Sequence, residues 1–149
     1  MFPKSISLVT LGVADLDRSR AFYAALGWEA AVVAEDVAFI QLAGQVLALF
    51  EIGALGADMG GADPSGLGRG ASNLARNFAT EAEVDAAFAL ALSAGATAIK
   101  RPVKVEWGGY SGYFADPDGH VWELAMNPFW PLGDDGTLTL PHAKPGGGG

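Results

Sequence analysis

Hydrophobic and polar positions divide the chain into two halves built on one plan. Ile6 to Val13 reads as a strand, and Asp15 then offers an N-cap to a segment in which Phe22, Ala25 and Leu26 share a helical face. Gly27 sits where such a helix stops. Further strands are expected over Glu29 to Ala34, Val37 to Leu42 and Gln45 to Ile52, the last following a turn at Gly44. The first half therefore reads βαβββ. In the second half Ser72 to Phe78 reads as a strand and Thr80-Glu81-Ala82-Glu83 as a capping box, in which hydroxyl and carboxylate satisfy each other's backbone donors. Val84, Ala87, Phe88, Ala91 and Leu92 then form one apolar stripe, with Gly95 as the stop. Strands over Ala96 to Lys100, Tyr110 to Ala115 and His120 to Ala125 complete a second βαβββ, the last two joined by the turn Asp116-Pro117-Asp118-Gly119.

Gly53 to Gly70 is glycine-rich, contains Asp63-Pro64 and has no periodicity, so it reads as a connector that is also placed to cover a site as a lid. Gly133 to Gly149 ends in a glycine run and reads as a flexible C-terminal tail. The expected organisation is one α+β domain over 1–132, with module one at 5–52, the connector at 53–70, module two at 71–128, and the tail at 133–149.

Composition narrows the chemistry. A chain of 149 residues, 50% hydrophobic and 17% charged, can bury a real core. A net charge of −8 repels phosphate backbones, so nucleic acid is not expected as a partner, and a cationic or neutral small ligand suits the field better. The absence of cysteine excludes disulfides, thiolate nucleophiles and Cys-ligated zinc or iron–sulfur centres. With only His120 and His142, one chain cannot build a site of several histidines. Apolar runs are too short to span a bilayer, and the N-terminus lacks a signal-peptide pattern. A soluble, cytoplasmic protein without a membrane partner is expected.

Leu11-Gly12-Val13-Ala14-Asp15-Leu16-Asp17-Arg18-Ser19, with Phe22-Tyr23 and Leu26-Gly27, is followed in the second half by Asp116-Pro117-Asp118-Gly119-His120-Val121-Trp122-Glu123-Leu124. In that order, these motifs resemble the vicinal oxygen chelate superfamily, which includes glyoxalase I, the bleomycin-resistance proteins and the extradiol dioxygenases. The resemblance covers Ser5 to Pro128. It implies paired βαβββ modules forming a cup-shaped mixed sheet with helices on the outer face, usually completed as a homodimer. It also implies four metal-ligand positions, which fall here on Leu8, Ala48, Asn73 and Glu123. Leucine and alanine have no lone pair to give, and one carboxylate with one amide falls short of the three or four donors typical of a transition-metal site. Glu51 lies three residues beyond Ala48, which puts it on the opposite face of a regular strand. The chain looks like a metal-free member, with no cofactor implied.

Glu123 lies between Val121 and Ala125 on its own face, and a carboxylate among apolar neighbours must be paired, hydrogen-bonded or protonated. It is a candidate general base or ligand anchor, or a former metal ligand now bonded to Asn73 or water. If the Asp116–Gly119 turn closes a regular hairpin, Gly112 faces Glu123, and Tyr110, Gly112 and Phe114 share its face. Gly112 then opens volume beside the carboxylate, or else accommodates a bulge, and Tyr110 becomes a phenol donor. Asn73, Ala75 and Asn77 alternate onto the same face, while Arg76 is expected to emerge and pair with an acid. Trp107, before Gly108-Gly109, is placed to stack on a planar ligand. Phe129 and Trp130 read as packing or dimer contacts, His120 as pointing away from the cup, and Lys100, Arg101 and Lys104 as a solvated rim.

The expected function is metal-independent small-molecule binding in the cup or at a dimer interface, with Asn73, Asn77, Trp107, Tyr110, Gly112 and Glu123 as ligand-binding residues and an aromatic or cationic ligand. The alternative is a glyoxalase-like lyase or isomerase, or a dioxygenase. A divalent ion would then need Glu123, Glu51 and donors from another subunit, whereas a metal-free version would use Glu123 as base and Tyr110 as acid.

Overall fold

The computed structural model describes residues 6–61, 63 and 72–141. Residues 62 and 64–70 of the expected connector and lid, and residues 142–149 of the expected tail, lie outside the described residues. The fold is α+β, with two four-stranded mixed sheets and, among the described residues, three helices. It divides into two compact units: one runs to Ser72 and includes Asp116–His120, and the other comprises Asn73–Ala115 and the residues from Val121 onward.

The first unit contains β1 (Leu8–Val13), α1 (Leu16–Ala25), β2 (Val32–Val33), β3 (Val37–Gln41), β4 (Val46–Glu51) and α2 (Ile52–Asp58). Its sheet order is β1-β4-β3-β2, with β1 parallel to β4 and the other pairs antiparallel. A parallel pair needs a crossover, and α1 lies in it. The Asp15 side chain caps α1 by accepting from the Arg18 N–H at 3.0 Å. Leu11, Val13, Ala38, Ile40, Leu47 and Leu49 are buried together with Phe22 and Tyr23 of α1. β2 is much shorter than the stretch expected over Glu29 to Ala34.

The start of the expected connector is helical instead of irregular. Glu51 ends β4 and accepts from the Gly53 and Ala54 N–H groups at 3.0 and 2.8 Å, capping α2 with its own carboxylate. The helix packs where a Cβ on Gly12 would meet the Ile52 and Leu55 side chains at 3.3 Å.

The loop 116–120 belongs to this first unit, and it brings together the two motifs that carry the family resemblance. The Tyr23 hydroxyl donates to Asp116 Oδ2 at 2.7 Å, the Ala14 N–H to Asp118 Oδ1 at 2.8 Å, and the Arg18 guanidinium to the same oxygen at 3.0 Å. His120 Nε2 lies 2.7 Å from the Gly12 carbonyl oxygen. Asp116 and Asp118 are buried, and these donors replace the water lost by Asp116 and by Asp118 Oδ1, while Asp118 Oδ2 has no partner among the described residues.

The second unit contains β5 (Leu74–Asn77), α3 (Glu81–Ser93), β6 (Thr97–Lys104), β7 (Tyr110–Ala115) and β8 (Val121–Met126), in sheet order β5-β8-β7-β6. The capping box forms as the sequence predicts, with Thr80 accepting from the Glu83 N–H and Glu83 from the Thr80 N–H. Val84, Phe88 and Ala91 of α3 are buried along with Phe114, Trp122 and Leu124, so those strand positions face the helix and the alternate ones form the open face. Beyond β8, where the sequence suggests a flexible tail, residues 132–138 close a short hairpin with Leu132 bridged to Leu138. Arg76 pins it by donating to the Gly136 carbonyl at 3.4 Å and also donates to the Asn77 carbonyl, so main-chain oxygens take the place of the acid expected to pair with it.

Candidate functional site

The site is set by the register of the β7–β8 hairpin. Gly119 takes a φ of +87°, its N–H donates to the Asp116 carbonyl at 2.9 Å, and the Asp116 N–H donates to the His120 carbonyl at 2.8 Å. This is a β-turn followed by a left-handed glycine, a three-residue loop with one residue more on its second arm than a regular closure. Ala115 therefore pairs with Val121, Gly112 with Leu124, and Tyr113 with Glu123. A one-residue slip exchanges the faces of a strand, so the expected placement of Tyr110 and Gly112 beside Glu123 is corrected: Tyr113 takes that place.

Tyr110 instead faces α3, where its hydroxyl donates to Asp85 Oδ1 at 2.6 Å. Gly112 opens no volume beside Glu123. A Cβ there would lie 2.8 Å from the Lys100 carbonyl oxygen and the Pro102 nitrogen, because β6 bulges toward it between Lys100 and Val103.

On the open face, the Tyr113 hydroxyl donates to Glu123 Oε2. That bond, with burial and the charge of Glu123 adding to it, raises the Tyr113 phenol above its ordinary pKa. Ala75 of β5 pairs with Glu123 on one side, and Lys100 of β6 pairs with Tyr113 on the other. The row across the strands is thus Ala75, Glu123, Tyr113, Lys100. The next row contains Asn77, Ala125, Ser111 and Val103. Asn73 lies just before β5 and is exposed, its amide donating to the Leu74 carbonyl at 3.5 Å.

Trp107 sits in the β6–β7 hairpin loop, 56% exposed, with its indole across Gly109, where a Cβ would come within 2.3 Å of the ring. Of the expected ligand-binding residues, the structure puts Asn77 and Glu123 on one face and Trp107 at the hairpin, and turns Tyr110 and Gly112 away. Sequence reasoning missed Tyr113 and read Lys100 as rim. The glycine in fourth place of Asp-Pro-Asp-Gly was the available signal for the bulged loop.

The family model for the glyoxalase/bleomycin resistance protein/dioxygenase superfamily matches residues 5–124. The chain belongs to this superfamily. Solved structures of superfamily proteins share the fold. A glyoxalase-related enzyme from Fulvimarina pelagi is 37% identical, with 93% of this chain and 99% of that chain covered and a TM-score of 0.86. A glyoxalase/bleomycin resistance protein/dioxygenase family enzyme from Burkholderia phytofirmans PsJN is 21% identical over 80% of this chain and 96% of that one, with a TM-score of 0.73. A lactoylglutathione lyase from Agrobacterium tumefaciens is 24% identical over 87% and 98%, with a TM-score of 0.62. No curated protein matches the chain significantly.

The residues present do not fit the metal ion that the family resemblance implies. Leu8 and Ala48 stand at two of the positions where the resemblance implies ligands, and Asn73, at a third, has only an amide to offer. Glu51 is committed to capping α2, and the Gly53 and Ala54 N–H groups hold its carboxyl below the usual glutamate range. Among the described residues, no three His, Cys, Asp or Glu side chains come together as a ligand set.

Proposed function

We propose that the chain binds a small molecule on the open face of the second sheet and needs no metal ion to do so. The observation that carries this reading is the Tyr113–Glu123 hydrogen bond at the one position where the family's carboxylate survives. There the phenol supplies the partner that a carboxylate among apolar neighbours requires. Glu123 Oε1 and the Asn77 amide then orient the ligand, Trp107 offers a stacking surface at the hairpin end, and the net charge of −8 favours cations. The homodimer expected from the resemblance is part of the proposal and is checked by sedimentation.

Two measurements test it. Elemental analysis of protein purified without chelator should find no stoichiometric metal, and Ni²⁺, Zn²⁺, Mn²⁺ and Fe²⁺ should leave the melting temperature unchanged. Calorimetric titration with N-methylquinolinium should show binding that Glu123→Gln weakens about tenfold, the size of one charge-assisted contact. Stoichiometric metal with a large stabilising shift would overturn the reading.

A second reading is favoured by the Fulvimarina pelagi relative, which is described as a glyoxalase-related enzyme. In it Glu123 removes a proton from a bound substrate and Tyr113, taking the role the sequence suggested for Tyr110, returns one. Solvent-deuterium exchange into a bound carbonyl compound, lost in Glu123→Gln, distinguishes it from simple binding.

A further inference from the structure

Resting on the reading of this face as a binding site, the row Glu123, Tyr113, Lys100 specifies the ligand more narrowly. Glu123 uses Oε2 to accept from Tyr113, and no other described residue bonds its second oxygen. Lys100 is exposed, pairs with Tyr113 across the strands, and forms no ion pair among the described residues. The other basic residues nearby are engaged on the α3 side, Lys104 with Glu81 and Arg101 over the Phe88 ring. Lys100 is thus the basic group this sheet leaves on the face of Glu123, and the ring of Tyr113 stands between the two.

We infer that the ligand is a small zwitterion, its ammonium group bound by Glu123 and its carboxylate by Lys100, with the aliphatic part lying across Tyr113. Neighbouring strands lie about 4.8 Å apart, so the backbones of Glu123 and Lys100 are about 10 Å apart with β7 between them. A single short amino acid can bridge two charged side chains that lean toward each other from strands two apart, its ammonium and carboxylate each taking one charge-assisted hydrogen bond. A cation alone leaves Lys100 facing a positive charge, and an anion alone leaves Glu123 facing a negative one. The zwitterion is complementary to both ends of the row, and complementarity of this kind sets specificity. Ser111 and Asn77, in the adjoining row, add a hydroxyl and an amide on the side toward the β6–β7 hairpin.

The test uses the ¹⁵N-labelled full chain titrated at fixed ionic strength with 3-aminopropanoate, propylamine and propanoate, following the amide resonances of Lys100, Tyr113 and Glu123. The zwitterion should bind at least about tenfold more tightly than either singly charged analogue. Lys100→Gln should bring 3-aminopropanoate down to the level of propylamine, and Glu123→Gln should bring it down to that of propanoate. Equal binding of 3-aminopropanoate and propylamine, or an unchanged preference in Lys100→Gln, overturns the zwitterion. If propylamine binding is at the same time lost in Glu123→Gln, the binding site itself still stands. No perturbation of these amides by any of the three compounds overturns the zwitterion, and the absence of N-methylquinolinium binding as well overturns the site.

Discussion

Replacing Tyr23 with Phe removes one oxygen from the interior of the first unit and leaves the ring in place. Tyr23 is fully buried, its ring packs edge-on against Phe22 at 5.0 Å and stacks with Trp28 at 6.4 Å, and its hydroxyl donates to Asp116 Oδ2 at 2.7 Å. The other Asp116 oxygen already accepts from the Asp118 and His120 N–H groups, each at 2.9 Å. Asp116 is thus an acceptor throughout, as an ionised carboxylate must be, and it is buried. A hydrogen bond to a charged group contributes about 1.5–3 kcal/mol, and without it the carboxylate oxygen has no water to turn to. We expect Tyr23→Phe to destabilise by about 2 kcal/mol, which for a chain of this size lowers the melting temperature by roughly 4–8 °C. Urea unfolding at pH 7 should show a lower midpoint with an unchanged m-value. In a double-mutant cycle with Asp116→Asn, the coupling should account for most of the loss. A loss below about 0.5 kcal/mol, or additive single mutants, would refute the assignment of this bond as a principal tie of the loop to α1.

Gly112→Ala should destabilise by about 1–3 kcal/mol, because the added methyl meets β6 backbone, whereas Gly109→Ala should cost little and red-shift the tryptophan emission, because the exposed Trp107 ring can move aside; denaturant titration followed by fluorescence reads both. Glu51 has its folded pKa lowered by the α2 N–H groups, so its contribution to stability is present above its unfolded pKa and lost as pH falls through the folded value. Glu51→Gln should therefore reduce the pH dependence of stability below about pH 4, and faster amide exchange at Ala54 should report the weakened cap. The Tyr113 phenol is raised, so its stabilisation is complete below the unfolded value of about 10 and lost as pH rises through the folded one. In a Tyr110→Phe background, which removes the phenol raised by Asp85, Glu123→Gln should lower the Tyr113 midpoint in an absorbance titration at alkaline pH.

Most elements could be read from the sequence because each carries its own local signal. The Asp15 cap, the Thr80–Glu83 box and the glycine stops at 27 and 95 all act within one turn of helix, and all appear where the pattern puts them. The candidate site depended on a different kind of information. One residue in the 116–120 loop decided whether Tyr110 or Tyr113 meets Glu123, and alternation in β7 was compatible with either register, since each face carries a tyrosine and a small residue, Tyr110 and Gly112 on one and Tyr113 and Ser111 on the other. Lys100 was read as rim because the β6 irregularity that sets its pairing with Tyr113 leaves no periodic trace. Glu51 was judged by strand parity alone, and its role comes from the helix that begins at the next residue.

The loop 116–120 also bears on how the chain acquires its structure. The first unit is discontinuous in sequence: Tyr23, Arg18 and the Ala14 N–H find their acceptors about a hundred residues further on, so closing these contacts spans a long stretch of chain. During synthesis the βαβββ of the first half can collapse early, yet the Tyr23 hydroxyl stays unsatisfied by Asp116 until that residue has emerged. A fragment ending at Ser72 would leave the same donors with no carboxylate to meet. The two halves repeat one plan, but the first is not a separable copy of it.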